Sequence, residues 1–188
     1  GVFRILSAKT MKNRPAISVV MAVYNGADYL EKAINSILAQ TFSDFEFVII
    51  DDGSSDGSAV LLEGARQRDG RVVSLSNEQN RGLIFSLNRG LSIARGAYIA
   101  RMDADDIAHP ERLRRQWEYL EAHPDIFLVG TNVRIIDEAG KRVSLSHVST
   151  DPAVLARRLP MTNWLYHSSI MFRNEPWARY REKMIHVE

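Results

Sequence analysis

The chain has 188 residues, with 24 Lys or Arg against 23 Asp or Glu and a formal net charge of +1; this length predicts one domain that buries roughly 70% of the surface its unfolded form exposes. The 45% hydrophobic and 25% charged fractions exclude intrinsic disorder, no apolar run approaches the ~20 residues that span a bilayer, and the balanced charge gives no electrostatic case for a nucleic-acid partner. With no cysteine, disulfides, thiolate metal sites, iron–sulfur clusters and cysteine nucleophiles are excluded, and a reducing compartment fits.

Residues 1–15 read as a tail, of which 1–10 look like an expression-derived extension ahead of a natural start at Met11. Val2–Leu6 is too short and interrupted for a secretory apolar core, so the cytoplasm is the expected location. Ile17–Val23 is a short β-branched run, as in a buried strand. A turn at Tyr24-Asn25-Gly26 leads into a helix, with Asp28 and Glu31 as a candidate capping box and Leu30, Ala33, Ile34, Ile37 and Leu38 on one apolar face. Phe45–Ile50 is a second strand that stops at Asp51-Asp52-Gly53-Ser54-Ser55-Asp56. A helix follows with Val60, Leu61 and Ala65 inward, then a strand at Val72–Leu75 and a polar loop from Asn77 to Gly82. The next helix carries Ile84, Leu87, Leu91 and Ala94 on one side, and Gly96–Arg101 is a strand running into Met102-Asp103-Ala104-Asp105-Asp106. Pro110 suits the first turn of a helix whose inner face is Leu113, Trp117 and Leu120. This alternation predicts an α/β fold, with βαβ units on a mainly parallel central sheet flanked by helices over residues 16–123.

After Pro124 the rhythm changes. Phe127–Gly130 and Val133–Ile136 are strand-like, Glu138–Lys141 resembles a hairpin turn, 151–159 suits a short helix and Ser168–Phe172 a further strand. Residues 124–188 therefore read as a smaller mixed α+β part sharing the core of the first.

In open α/β sheets ligands sit beyond the carboxyl ends of the strands. Those ends carry Tyr24-Asn25, Asp51-Asp52-Gly53, the Asn80-Arg81-Gly82 loop and Asp103-Ala104-Asp105, the parts needed to hold a nucleotide diphosphate. Asp103 and Asp105, two apart at a strand end, point the same way and suit a hard divalent cation shared with substrate phosphates; by itself such a triplet equally describes a solvated turn. The Asp51-Asp52 pair follows an apolar strand, where adjacent like charges cost stability. Gly53 and Ser54 or Ser55 fit an ordinary strand-to-helix turn, whereas the pair suggests a carboxylate accepting the imide N–H of uracil or a purine N–H. Tyr24 either stacks on a base or is a core tyrosine, and Arg81 either meets phosphate or is merely solvated. The five histidines form no helical metal-binding pair, and His167 reads as a structural residue.

These residues, in this order, resemble family 2 glycosyltransferases of the GT-A fold. The resemblance runs through Ser18–Asn25 with Tyr29-Leu30, Ser36–Phe42, Glu46–Asp56, Asn80-Arg81-Gly82, Ala94–Ala100, Asp103–Asp106 and Pro110–Leu113, densely over about 17–120 and more loosely to the end. It implies a Rossmann-like nucleotide-sugar-binding half and the start of an acceptor-side half. Ala22, Val23 and Tyr24 would frame the base, Asp52 would hydrogen-bond it, and Arg81 would lie near the donor. Asp103 and Asp105 would be the metal motif, with Asp105 the leading ligand of Mn2+ or Mg2+. The family's base follows a segment like Tyr180-Arg181-Glu182, in a Glu-Asp pair whose first member resembles Glu188. The resemblance thus implies a fragment ending just before the base, with transfer to an acceptor hydroxyl with inversion as the parent activity. The implied partners are a nucleotide-diphosphate sugar and a saccharide, lipid-linked or protein acceptor, with peripheral attachment to the cytoplasmic membrane face left open.

Other classes fit less well. Ile50 stands where a phosphatase or mutase of the Asp-x-Asp-Gly-Thr type needs its nucleophile. No G-x-G-x-x-G follows the first strand, and Tyr24–Asp28 is not the Gly-rich basic loop of a nucleotidyltransferase. The standing alternative is a non-catalytic nucleotide-binding or interaction module on the same scaffold.

Overall fold

The computed structural model describes residues 14–137, 140–149, 151, 153–154, 157 and 165–181. The expectations for residues 1–13 and for Glu182 and Glu188 lie outside them. Of the short helix expected over 151–159, only Asp151, Ala153, Val154 and Arg157 are described, the last three of them helical.

Among the described residues six strands form the main sheet: β1 (Ile17–Val23), β2 (Phe45–Asp51), β3 (Val72–Ser76), β4 (Tyr98–Asp103), β5 (Leu128–Val129) and β8 (Met171–Arg173), in the order β3-β2-β1-β4-β8-β5. The first four are parallel; β8 runs antiparallel to both β4 and β5. Residues beyond 123 therefore extend the same sheet. Strands β6 (Arg134–Ile136) and β7 (Arg142–Leu145) form a separate two-stranded ribbon. Around the sheet lie helices α1 (Ala27–Leu38), α2 (Ser58–Arg68), α3 (Leu83–Ile93) and α4 (Arg112–Ala122). This mixed α/β architecture, parallel at its centre and covered on both faces, is the one expected from the alternation of elements.

All seven residues of β1 are buried. Its odd-numbered positions, Ile17, Val19, Met21 and Val23, pack with Leu30, Ile34 and Ile37 of α1 and Leu113 and Leu120 of α4. Val20 and Ala22 face the other way, against Leu87 and Leu91 of α3 and Ile170 and Phe172. A strand buried on both faces needs apolar residues at consecutive positions, which is why its run does not alternate.

Three local expectations are corrected. The Asp28–Glu31 capping box does not form: α1 has no cap from its own side chains. Instead Asp56 Oδ2 accepts the Ala27 N–H at 3.0 Å and Ser58 Oγ the Gly26 N–H at 3.1 Å, so a neighbouring loop satisfies the helix start. On α2, Val60 is 75% exposed; the inward positions are Ser58, Leu62 and Ala65, since the short helix is phased by its contact with the sheet. The run Ser168–Phe172 is split, with a 3-10 turn at His167–Ser169 and a strand only from Met171.

At the amino end of the sheet, Glu46 is a buried carboxylate on β2. It accepts from Ser18 Oγ at 2.6 Å, from the Arg95 N–H at 2.6 Å and from Arg95 Nε at 2.8 Å, while Ser18 Oγ accepts the Gly96 N–H at 2.8 Å. A Cβ on Gly96 would lie 2.4 Å from Ser18 N and 2.6 Å from Ile17 C, both backbone atoms of β1. Strand and turn cannot both keep their places around a methyl group there. Gly96→Ala is expected to destabilise the fold by about 3 kcal/mol, read as a lowered urea midpoint with an unchanged slope.

Candidate functional site at the carboxyl edge of the sheet

The strand order reverses beside β1, which pairs with β2 on one side and β4 on the other. Such a switch point opens a crevice beyond the carboxyl ends of the strands. Parallel register brings Val23 level with Asp51 and Ala22 level with Asp103, so the turn after β1 stands between two acid-bearing strand ends.

Tyr24, the first residue of that turn, is 51% exposed; the core-tyrosine alternative is excluded. Asn25 follows with φ 50° and ties its turn to the next. Its N–H donates to Ser54 Oγ and its Oδ1 accepts the Ser55 N–H, each at 2.9 Å.

Each member of the Asp51-Asp52 pair has a structural task that sequence reasoning did not supply. Asp51 Oδ1 accepts the Ser54 N–H at 3.0 Å, closing the local turn. Asp52, 3% exposed, holds the loop after β3: Oδ1 accepts from Asn77 Nδ2 at 2.6 Å and the Arg81 N–H at 2.9 Å, and Oδ2 accepts the Gly82 N–H at 2.8 Å. Burial works to raise its carboxyl. The donors from Arg81, Asn77, Ser86 and Gly82 outweigh that and hold it below the ordinary range. Gly53, at φ 75°, makes the approach feasible, because a Cβ there would lie 2.6 Å from the backbone of Gln79. With its backbone N–H used in this way, Arg81 carries an exposed guanidinium 4.2 Å from the Phe85 ring centroid.

On the other side of β1, the Asp103 side chain is 36% exposed and Asp105 and Asp106 meet solvent. Crowding by the surrounding chain raises the carboxyl of Asp106, and the charges of Asp103 and Asp105 add to this while the Ser168 hydroxyl opposes it. Among the described residues no group of three or more His, Cys, Asp or Glu is arranged to hold a metal ion. Asp103 and Asp105 offer hard oxygen donors, and one or two carboxylates suit a magnesium-like cation that completes its shell with substrate phosphates. The donor set therefore fits a cation shared with a diphosphate.

Behind these acids lies a cluster absent from the sequence expectations. Arg101 on β4 is 1% exposed and its Nη1 lies 2.5 Å from Asp103 Oδ1. Arg112 on α4 donates through Nη2 to the Arg101 carbonyl at 2.6 Å and to the Ile170 carbonyl at 3.3 Å, and burial lowers it to about 10, so it stays charged at neutral pH. His167 and Tyr180 close over this ground, joined Nε2 to hydroxyl at 2.6 Å. Burial, seconded by the Arg101 charge, lowers His167 to about 4; burial pushes the Tyr180 hydroxyl up to about 12. Asn88 of α3 clasps the Tyr180 backbone, donating to its carbonyl at 2.8 Å and accepting its N–H at 2.9 Å. The clue available in the sequence was a charge inside the apolar run Tyr98–Met102.

Residues 18–182 match the family described as "Glycosyl transferase family 2". The chain belongs to that family. It is 36% identical over 165 residues to EpsE of Bacillus subtilis (strain 168), which bears a glycosyltransferase name, covering 87% of this chain and 58% of EpsE. To the O-antigen biosynthesis glycosyltransferase WbnJ of Escherichia coli it is 35% identical over 167 residues, covering 88% of this chain and 64% of WbnJ. The chain thus spans about three-fifths of the length of these relatives. Among solved structures, the mannosyltransferase PcManGT of Pyrobaculum calidifontis, in complex with GDP-Man and Mn2+, superposes with a TM-score of 0.59 at 24% identity over 65% of this chain and 36% of that one. That likeness speaks for the GT-A fold.

Two expectations follow for this family 2 chain. Replacing Asp52 by Asn turns one of its acceptor oxygens into a donor facing other donors. Asp52→Asn should cost about 2–4 kcal/mol and speed hydrogen exchange at the Arg81 and Gly82 amides. The unfolded chain protonates His167 near 6.5 and the folded chain only near 4, so stability falls as pH drops from about 6.5 through about 4. His167→Gln should flatten the melting temperature across that window relative to the native chain.

Proposed function

We propose that this chain is the donor-binding part of an enzyme that moves a sugar from a nucleotide-diphosphate sugar to an acceptor hydroxyl with inversion. The observation that carries this reading is the levelling of Tyr24, the Asp52-held loop and the Asp103–Asp105 pair along one crevice, in a chain of family 2. The exposed Tyr24 ring stacks on the base, with Ala22 and Val23 as the strand end that frames it. Asp52, whose oxygens already accept from Arg81, Asn77, Ser86 and Gly82, serves the nucleotide through the loop it places, which presents Arg81 to the donor. A Mn2+ or Mg2+ ion held by Asp105 and Asp103 would supply charge neutralisation for the departing diphosphate.

In the transfer, the acceptor oxygen bonds to the anomeric carbon from the face opposite the diphosphate as the bond from that carbon to the phosphate oxygen breaks. The acceptor proton passes to a general base, and such assistance is worth about 10²–10⁴ in rate. The family reading allows saccharide, lipid-linked or protein acceptors; the name of the WbnJ relative favours a saccharide of a surface polysaccharide. No helix among the described residues is long and apolar enough to cross a membrane. The proposed reaction belongs to the cytoplasm, with attachment to the membrane face left open.

The test is thermal unfolding with UDP, GDP, CDP or dTDP, each with and without Mn2+. At ligand about 100-fold above Kd, one diphosphate together with Mn2+ should raise the melting temperature by about 5–10 °C, and neither alone should match it. Tyr24→Ala and Asp105→Asn should each weaken that binding at least about tenfold. A chain that answers to none of the nucleotides with metal, yet binds another protein tightly, is instead an interaction module.

A further inference from the structure

Arg101 has no evident reason to be where it is on grounds of stability. It shares a face of the sheet with Ile99 and Asp103 and stands level with Val20 of β1. Tyr180 packs against that face and is joined to His167, so the guanidinium lies in a dry place at 1% exposure. Among the described residues its close polar contacts are the ion pair to Asp103 Oδ1 at 2.5 Å and the Tyr180 hydroxyl, too few for three buried nitrogens. A guanidinium carries five N–H donors, and leaving them unmet away from water is costly. A buried ion pair repays such a cost poorly compared with an apolar residue of the same size. The arrangement makes sense through what it does to Asp103.

Asp103 offers two oxygens, and Arg101 occupies one of them and cancels much of their charge. A divalent cation arriving alone meets a half-neutralised carboxylate, the exposed Asp105 and Asp106, and the field of two buried cations, Arg101 and Arg112. A diphosphate brings negative charge that those cations favour, together with the oxygens that the cation's shell lacks. We propose that Arg101 is a positioning residue which, by holding Asp103 Oδ1, makes this edge of the sheet a weak cation site by itself and a strong one only when a nucleotide diphosphate binds with the cation. The inference rests on the donor-site reading above and adds a role for a residue that does not touch the donor.

Because coupling between two ligands is reciprocal, it is measured by titrating Mn2+, followed by electron paramagnetic resonance, without and with a saturating nucleotide diphosphate. In the native chain the nucleotide is expected to raise Mn2+ affinity at least about tenfold. Arg101→Met, which keeps length and removes charge, should tighten Mn2+ alone about tenfold and shrink the nucleotide enhancement at least about threefold; Arg101→Lys should restore both. If Arg101→Met does not fold by circular dichroism, Arg101→Gln carries the same expectation in the same direction. Native protein that binds Mn2+ equally well with and without the nucleotide it demonstrably takes up overturns the inference without any variant. So does a folded neutral variant whose Mn2+ affinity and enhancement stay within twofold of native. A native chain that takes up no nucleotide diphosphate at all overturns the donor-site reading, and the role of Arg101 with it.

Discussion

The pairing of β1 with β2 on one side and β4 on the other holds the rest of the molecule in place. Both partners run parallel to it, and the register sets Val23 opposite Asp51 and Ala22 opposite Asp103. Because side chains alternate across a strand, a slip of one residue would exchange the two faces of β1. Ile17, Val19, Met21 and Val23 would leave the α1 and α4 side for the α3 side. The helices on each face thus lock the register, and the register aligns the chain turns at the carboxyl edge. The Glu46 hub at the opposite end fastens β1, β2 and the turn before β4 to one another, so the strands cannot slide without breaking a buried carboxylate's bonds.

The carboxyl edge holds many acids, and the fold divides them by task. Asp51, Asp52 and Asp56 accept backbone N–H groups from turns that have no strand or helix to satisfy them. Spending carboxylates in this way gives a rigid rim from short loops, since each charged acceptor gathers one or more donors. Asp103 and Asp105 stay at the surface. The concentrated negative charge is balanced from within by Arg101 and Arg112, both on or beside β4. Arg112 does this while bracing the carbonyls of Arg101 and Ile170, linking the end of β4 to the segment that carries His167 and Tyr180. The acidic rim and the aromatic cover are therefore one mechanical unit.

The segment from His167 to Arg181 shows how the later part of the chain is brought to the earlier part. β8 adds to the open side of β4 in antiparallel sense, with Phe172 opposite Ile99. Asn88 then catches the backbone of Tyr180 from α3. Between these two attachments, strand pairing and a side-chain clasp, Tyr180 is laid over the cluster behind Asp103. The crevice at the carboxyl edge thus borders both the chain before residue 123 and the segment 167–181.

Much of this was legible in the residues alone. The uninterrupted β-branched run of Ile17–Val23 and the helical spacing of Leu30, Ala33, Ile34 and Ile37 report local burial, and burial is what periodicity encodes. The acids and Tyr24 stand at the ends of such runs, so their gathering at one edge follows from the parallel α/β pattern. Tertiary structure alone decided which groups meet. That Asp56 rather than Asp28 serves the start of α1, that Asp52 holds a loop about 30 residues later, and that Glu46 is a buried hub are facts about partners distant in sequence. Arg101 is the sharpest case: its position in an apolar strand marks it as unusual and its ion-pair partner Asp103 is only two residues on, but its burial under Tyr180 depends on chain arriving from residues 167–180. Sequence determines which face of an element seeks cover; the cost of burying charge without a partner determines which distant side chains must supply it.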